Sequence, residues 1–298
     1  MPHFTLAADI GGTKIAVARV SNSGKITHSL EALTPPAGGR LVVGRLIDLL
    51  RQLPQEDVQA IAVDVPGLAY RDGCVWAPNI QGWKRFPLRE AMRREFKLHV
   101  VVESDRNAFV IGEAWQGAAR NYRDIVSITL GTGVGVGILA DGRLIRGCRE
   151  LAGSVGWMAV RDHFLPKYKS VGCLEAHIAG PAISAAGRRL LGRNITAEEL
   201  TQLAVRGHKT ARKLLSETGF YLGLALANLV STLNPEIIVI GGGVAAAGEL
   251  LIHPARETMK RWGQPLAVKQ VRLVPSHLGT RAALLGMAKM ALDDLESP

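Results

Sequence analysis

Cysteine is scarce in this chain of 298 residues: Cys74, Cys148 and Cys173 are widely separated and odd in number. Three such residues make neither a disulfide framework nor a four-thiol metal site. Long basic runs are missing as well. Thirty-six Lys and Arg against 26 Asp and Glu leave a net charge of +10, yet the cations are scattered, as in Arg85, Arg89, Arg93, Arg94, Arg188 and Arg189. The excess favours anionic partners such as nucleotides or phosphorylated products, and nothing in its distribution marks a nucleic-acid arm. The longest uncharged stretches, 125–140 and 220–235, fall short of the ~20 apolar residues that span a bilayer, and four glycines break the first. Both read as interior of a soluble fold. Residues 1–8 lack the basic opening and cleavage pattern of an exported leader, so a cytoplasmic location is expected and no membrane partner is.

What is present is a globular composition, 47% hydrophobic, enough to bury one large core or two medium ones. The most informative stretch is Asp9-Ile10-Gly11-Gly12-Thr13-Lys14, set between apolar runs at 4–8 and 15–20. Paired glycines accept the backbone angles of a tight hairpin and leave N–H groups bare at its bend. Thr13 and Lys14 add a hydroxyl and a cation, so an anion would sit well there. Asp9, at the end of the first strand, is placed to hold a hydrated Mg²⁺. An ordinary hairpin with a buried-end aspartate fits the hexapeptide equally well.

Residues 25–33 read as a third strand and 41–53 as a helix with apolar spacing. Residues 58–65 form a nearly continuous apolar strand that stops at Pro66-Gly67, the edge where α/β proteins place ligands. Asn79 and Trp83 lie in an irregular stretch. An amide can bond sugar hydroxyls and an indole can wall a sugar pocket, or Trp83 simply plugs a gap. A basic amphipathic helix (88–96) and a short strand (99–103) follow. Ser104 and Asp105 then open a helix, either as capping residues or with Asp105 as a general base at a strand-to-helix junction. A second strand, glycine-threonine turn and strand follow at 125–140 with Gly131, Thr132, Gly133, Gly135 and Gly137. Two phosphate-cradling hairpins suggest a duplicated architecture. Residues 146–169 read as a long functional loop, 176–191, 197–205 and 210–233 as helices, and 237–240 as a strand ending in Gly241-Gly242-Gly243. The triplet is a poor dinucleotide fingerprint and a better site for close approach of adenosine. A strand at 268–274 and a helix at 280–292 complete the pattern.

Together, the motifs D-I-G-G-T-K (9–14), E-S-D-R-N-A (103–108), L-G-T-G-V-G-V-G (130–137), G-C-L-E (172–175) and I-G-G-G-V (240–244) resemble the ROK family of sugar kinases. The resemblance implies an α/β, two-lobed, actin-like (ribonuclease H-like) sugar kinase fold with the active site in the interlobe cleft. It implies Mg²⁺ and ATP, the phosphates gripped by the first and third motifs and the glycine triplet near the adenosine. Asp105 becomes the base that takes a proton from a sugar hydroxyl, and Gly67, Asn79 and Glu175 fall where the family contacts its sugar. A homodimer built through second-lobe helices is also implied.

Three departures stand out. Ser104 replaces the usual Asn before the catalytic Asp. The usual E-x-G-H is Ser154-Val155-Gly156-Trp157, without its carboxylate and histidine. Of the expected C-x-C-G-x-x-G-C only Cys173 remains, with Pro166 and Tyr168 at the first two cysteine positions, so no structural zinc is expected. The loop is then either mobile or held by packing around Trp157 and Tyr168. The expected organisation is an amino-terminal lobe of residues 1–116, completed by 279–298, and a second lobe of 117–278. The expected activity is ATP-dependent phosphorylation of a hexose or N-acetylhexosamine, the alternative a non-catalytic or regulatory sugar or nucleotide binder.

Overall fold

The structure, a computed structural model, describes residues 3–296. The chain divides into two compact α/β units. Unit 1 takes the described residues up to Asn121, the segment Arg146–Ala152 and the described residues from Thr280 onward; unit 2 takes Tyr122–Ile145 and Gly153–Gly279.

In unit 1, β1 (Phe4–Ile10) and β2 (Lys14–Ser21) form the glycine-turned hairpin, with Ile10 opposite Ile15. Strand β3 (Ile26–Leu33) extends the meander and α1 (Gly39–Arg51) covers one face. Strand β4 (Val58–Val65) runs parallel to β1; after α2 (Leu88–Phe96), β5 (His99–Ser104) runs parallel to β4 and leads into α3 (Asp105–Gln116). The order across the sheet is β3-β2-β1-β4-β5.

Successive side chains of a strand point to opposite faces. Leu6, Ala8 and Ile10 of β1 join Ile61, Val63 and Val65 of β4 and the Val42, Leu46 and Leu50 stripe of α1 in one core. The opposite face carries small residues, Ala7, Ala60 and Ala62, all fully buried, and the carboxyl-terminal helix Arg281–Glu296 packs on β1, β4 and α3. Glycine makes the helix crossing possible. A Cβ on Gly112 would lie 1.9 Å from the Ala282 carbonyl oxygen, and one on Gly286 would lie 1.8 Å from that of Ala108.

Unit 2 repeats the plan. Strands β6 (Ile125–Leu130) and β7 (Val134–Ala140) form the second hairpin, and β8 (Arg143–Leu144) pairs with β7. Helices α4 (Gly180–Leu191), α5 (Ala197–Val205) and α6 (Lys209–Leu233) precede β9 (Ile237–Gly241). Then come α7 (Glu249–Trp262) and β10 (Arg272–Pro275), giving the order β8-β7-β6-β9-β10. In each sheet an antiparallel hairpin is followed by two parallel strands. This is the duplicated α/β plan expected from the two glycine turns, and the actin-like one that the family resemblance implies.

Helix α6 is long and apolar enough to cross a membrane by length and composition, but most of that window is buried in unit 2, where α6 packs on α7. It is a core helix. The structure revises two local readings and decides a third. The strand expected at 268–274 forms only over its second part, as β10; residues 268–270 end a helix, Pro265–Gln270, which Pro265 opens and in which the Gln264 side chain accepts from the Leu266 and Ala267 amides, a cap the apolar pattern conceals. The sequence pattern does not announce helix α7, which carries Pro254 inside it. Of the two readings of Trp83, gap filler is the one the structure forms: the residue is 1% exposed, its ring stacks on Phe86 at 5.1 Å, and its indole N–H donates to the Gly39 carbonyl.

Candidate functional site

In unit 1 the carboxyl ends of three parallel strands stand in register, with Asp9 beside Asp64 and Asp64 beside Glu103. The alternation of β1 and β4 puts Asp9 and Asp64 on the small-residue face, under the carboxyl-terminal helix and α3. Asp64 is fully buried, no N–H or hydroxyl among the described residues reaches its carboxyl oxygens, and as the protonated member of the pair it hydrogen-bonds Asp9. Burial, first, and then Asp9 push its carboxyl well above the usual carboxylate range. Burial also raises Asp9.

Glu103 braces the junction into α3. Its Oε1 accepts from the Ser104 amide (2.8 Å) and from Asn107 Nδ2 (3.0 Å), and its Oε2 accepts from Arg146 Nε (2.8 Å). Ser104 occupies the N-cap position but makes no side-chain cap; its hydroxyl lies 3.4 Å from Asp105 Oδ1. Asp105 is the first helical residue, and its Oδ1 accepts from the Arg106 amide at 2.7 Å. Burial and then the neighbouring Asp9 charge raise the Asp105 carboxyl to about 6, against lowering by the Arg106 amide and Ser104. A carboxyl poised there suits proton abstraction near neutral pH.

The side chain of Arg106 ties the surrounding loops together. Its guanidinium donates to the carbonyls of Gly67 (3.2 Å), Ala152 (3.1 Å) and Glu150 (2.6 Å). Gly67 is required where it stands: its φ is +152° and a Cβ would lie 2.2 Å from the Trp76 carbonyl oxygen. Asn79 is exposed, with its Cβ 3.5 Å from the position a Cβ on Gly12 would take. The hairpin bend is closed by the Gly11 amide donating to the Lys14 carbonyl (2.8 Å), and Thr13 is exposed. Lys14 pairs with Glu31 at 2.9 Å on the surface.

Unit 2 brings its two glycine motifs together. Gly241 stands in register with Thr129, so the triplet lies beside the turn that holds Gly131, Thr132 and Gly133. Gly242, at φ +88°, leaves no room for a side chain: a Cβ would lie 2.3 Å from the Leu130 carbonyl oxygen. The Gly131 amide donates to the Gly133 carbonyl, and its own carbonyl accepts from Gly180. Gly135 pairs with Thr129, whose hydroxyl donates to the Gly135 carbonyl at 3.3 Å. Beside Gly243 is a cavity of about 350 Å³ lined by Glu198, Thr201, Gln202, Val205, Arg206 and Ala246. Glu175 supports the turn, its Oε2 accepting from the Val134 amide at 2.7 Å and packing against Gly133 and Gly156. Ser154 precedes the short helix Val155–Trp157, and the Trp157 side chain is 56% exposed, so it does not anchor the loop.

The anchor is Tyr168, which is buried and shares a 3.0 Å hydrogen bond with His177 Nε2. His177 stacks on Tyr221 with ring centroids 4.1 Å apart, and Arg161 donates to the Tyr221 hydroxyl at 2.7 Å. Phe164 meets Tyr168 edge-on. Burial, with the Arg161 and Lys167 charges, pushes His177 down to about 4 and keeps it neutral. Aromatic packing thus occupies the stretch where the family motif places cysteines.

Four contributors were not singled out from the sequence: Asp64, Glu103, Arg106 and Arg146. The signal for Asp64 was available, because it is the one charge in an otherwise apolar strand. Glu103 stood inside a quoted motif without a role. The partners of Arg106 and Arg146 are about 40 residues away, a separation no local pattern reports.

Known proteins resemble this chain over nearly its whole length. The chain is 32% identical to a glucokinase of Halalkalibacterium halodurans, over 95% of this chain and 93% of that one. Its structure is similar to that of a ROK family glucokinase from Streptomyces griseus in complex with glucose and AMPPNP, with a TM-score of 0.84 and 31% identity over 97% and 99% of the two chains. A xylose repressor of Caldicellulosiruptor bescii is 27% identical over 87% of this chain and 69% of its own length. The ROK family model matches residues 5–294, and with the register of both glycine hairpins and Asp105 at the head of α3, this places the chain in the ROK family.

Proposed function

We propose that this protein transfers the γ-phosphoryl group of ATP to a hydroxyl of a hexose or N-acetylhexosamine, with Asp105 as the general base. The observation that carries this reading is the environment of Asp105: half-buried, fixed by the Arg106 amide, and raised to about 6 by burial and Asp9. A carboxylate so placed is ionised at neutral pH yet basic enough to accept a hydroxyl proton.

The hairpin of Gly11, Gly12, Thr13 and Lys14 and the turn of Gly131, Thr132, Gly133 and Gly135 are the phosphate-binding elements in this reading. The cavity lined by Gly243 takes the adenine, with Gly241 and Gly242 leading into it from β9. The residues fit Mg²⁺: Asp9, half-buried near the end of its strand, with the rise from burial opposed by its hydrogen bond from Asp64 and by the Lys14 charge, would hold the ion through water. Bound there, the ion offsets charge on the phosphate oxygens. Gly67, Asn79 and Ser104 contact the sugar with Glu175, while Ser154 and Trp157 define a pocket retuned from the usual E-x-G-H. Exposed Trp262 and Leu266 in unit 2 provide apolar surface for the homodimer.

The exposed Trp157 and the similarity to a xylose repressor favour one other reading, a sugar binder without turnover. ADP release from Mg-ATP across hexoses, amino sugars and N-acetylated sugars separates the two. Turnover on one sugar that Asp105→Asn lowers at least ~10²-fold, with AMPPNP binding within a few fold of wild type, supports the kinase. Sugar binding without ADP release in the wild-type protein refutes it.

A further inference from the structure

A second cavity, of about 590 Å³, lies within unit 1 along the edge strand β5. Four arginines line it: Arg71, Arg89, Arg93 and Arg146. Two are neutralised locally, Arg71 by Glu150 at 3.1 Å and Arg146 by Glu103 at 2.8 Å. The other two are not. Arg93 makes no ion pair among the described residues, and Arg89 donates Nη1 only to the Arg71 carbonyl, leaving its buried Nε without a partner. Both stand on α2, one helical turn apart, so their side chains share a face. Two unpaired guanidiniums so spaced suit the oxygens of a phosphomonoester. The rest of the lining suits a polyol: the Tyr70 ring offers a wall, and the Glu103 and Glu150 carboxylates accept from hydroxyls.

We propose that this cavity is a binding site for a sugar phosphate, distinct from the site at Asp105. Arg89 and Arg93 hold the phosphate, and Tyr70, Glu103 and Glu150 face the sugar. Occupancy reaches the base through contacts already described. Glu103 braces the Ser104 amide and Asn107, and the Glu150 carbonyl holds Arg106, so a ligand that draws Arg146 from Glu103 loosens the junction that orients Asp105. This coupling to turnover, and not the binding itself, rests on the kinase reading.

The test is calorimetric titration of glucose 6-phosphate into the full-length protein, with inorganic phosphate and glucose as separate probes. Wild type and Asp105→Asn should both show a sugar phosphate component that Arg89→Ala/Arg93→Ala weakens at least tenfold. Phosphate should bind the same site more weakly, and glucose alone should not report it. Arg93→Gln, at an exposed helix position, supplies a variant that leaves the fold intact should the double variant fail, and it should weaken binding severalfold. Wild-type affinity in both variants, or no binding to wild-type protein, overturns the proposal. In the kinase assay the sugar phosphate should lower kcat without competing with the sugar, and this inhibition should disappear in Arg89→Ala/Arg93→Ala at unchanged basal rate. Binding with no turnover of any sugar would leave the cavity site standing and remove only the kinase reading.

Discussion

If Asp105 is the base, turnover requires its ionised form, and its environment fixes where that form is lost. The carboxyl is raised to about 6, by burial first and by Asp9 second. Activity is therefore fully present above that value and falls as pH drops through it. An ordinary aspartate near 3.9 would remain about nine-tenths ionised at pH 5; a carboxyl at about 6 is about 97% ionised at pH 7.5 and only about one-tenth ionised at pH 5. The expected loss of kcat between pH 7.5 and pH 5 is thus roughly tenfold, against almost none for an unshifted group.

Phosphate groups titrate near pH 6 as well. The measurement is accordingly kcat by coupled ADP release, with Mg-ATP and sugar saturating at every pH, and with Ser104→Ala beside wild type. The Ser104 hydroxyl lies 3.4 Å from Asp105 Oδ1 and favours the ionised form. Removing it should move the acid limb to higher pH, whereas a limb set by the nucleotide would not move. A wild-type rate at pH 5 above half its plateau, or a limb indifferent to Ser104→Ala, would refute the assignment.

Asp64→Asn should raise Tm at pH 8 and change it less at pH 4. The raised folded-state value of Asp64 means that the fold loses stability as pH climbs past the ordinary carboxylate range, and an amide removes that dependence; a Tm difference that is equal at both pH values would sink this. Gly112→Ala should cost about 3 kcal/mol, a Tm loss of about 6–12 °C in thermal melts, because its Cβ would press on the Ala282 carbonyl. Tyr168→Ala should destabilise by about 3–5 kcal/mol by loss of a buried aromatic, and EDTA should leave the wild-type melt unmoved; a Tm that drops in EDTA would mean a metal holds the 146–175 loop.

The readable parts of this chain are those in which one local rule controls the outcome. The apolar strand 58–65, the glycine hairpins and the α1 stripe each carry their own periodicity or turn chemistry, and the structure forms all of them. Trp83 stays open in the sequence on the same ground: whether an indole faces a ligand or a core depends on what arrives opposite, and here Phe86 and the Gly39 carbonyl arrive. The site divides likewise. Asp9 and Asp105 announce themselves at strand ends, but the raised basicity of Asp105 comes from burial and then from a neighbour 96 positions earlier in the chain. Arg106 reads as an ordinary helix residue until its guanidinium is seen to hold the carbonyls of Gly67, Glu150 and Ala152. Asp64 lies between these cases. An aspartate in a strand covered on both faces must be paired, neutral or functional, so its presence was a legible question. Only the fold gives the answer: full burial first, and then the register that sets Asp64 between Asp9 and Glu103 with no N–H donor at its oxygens, favour the neutral acid.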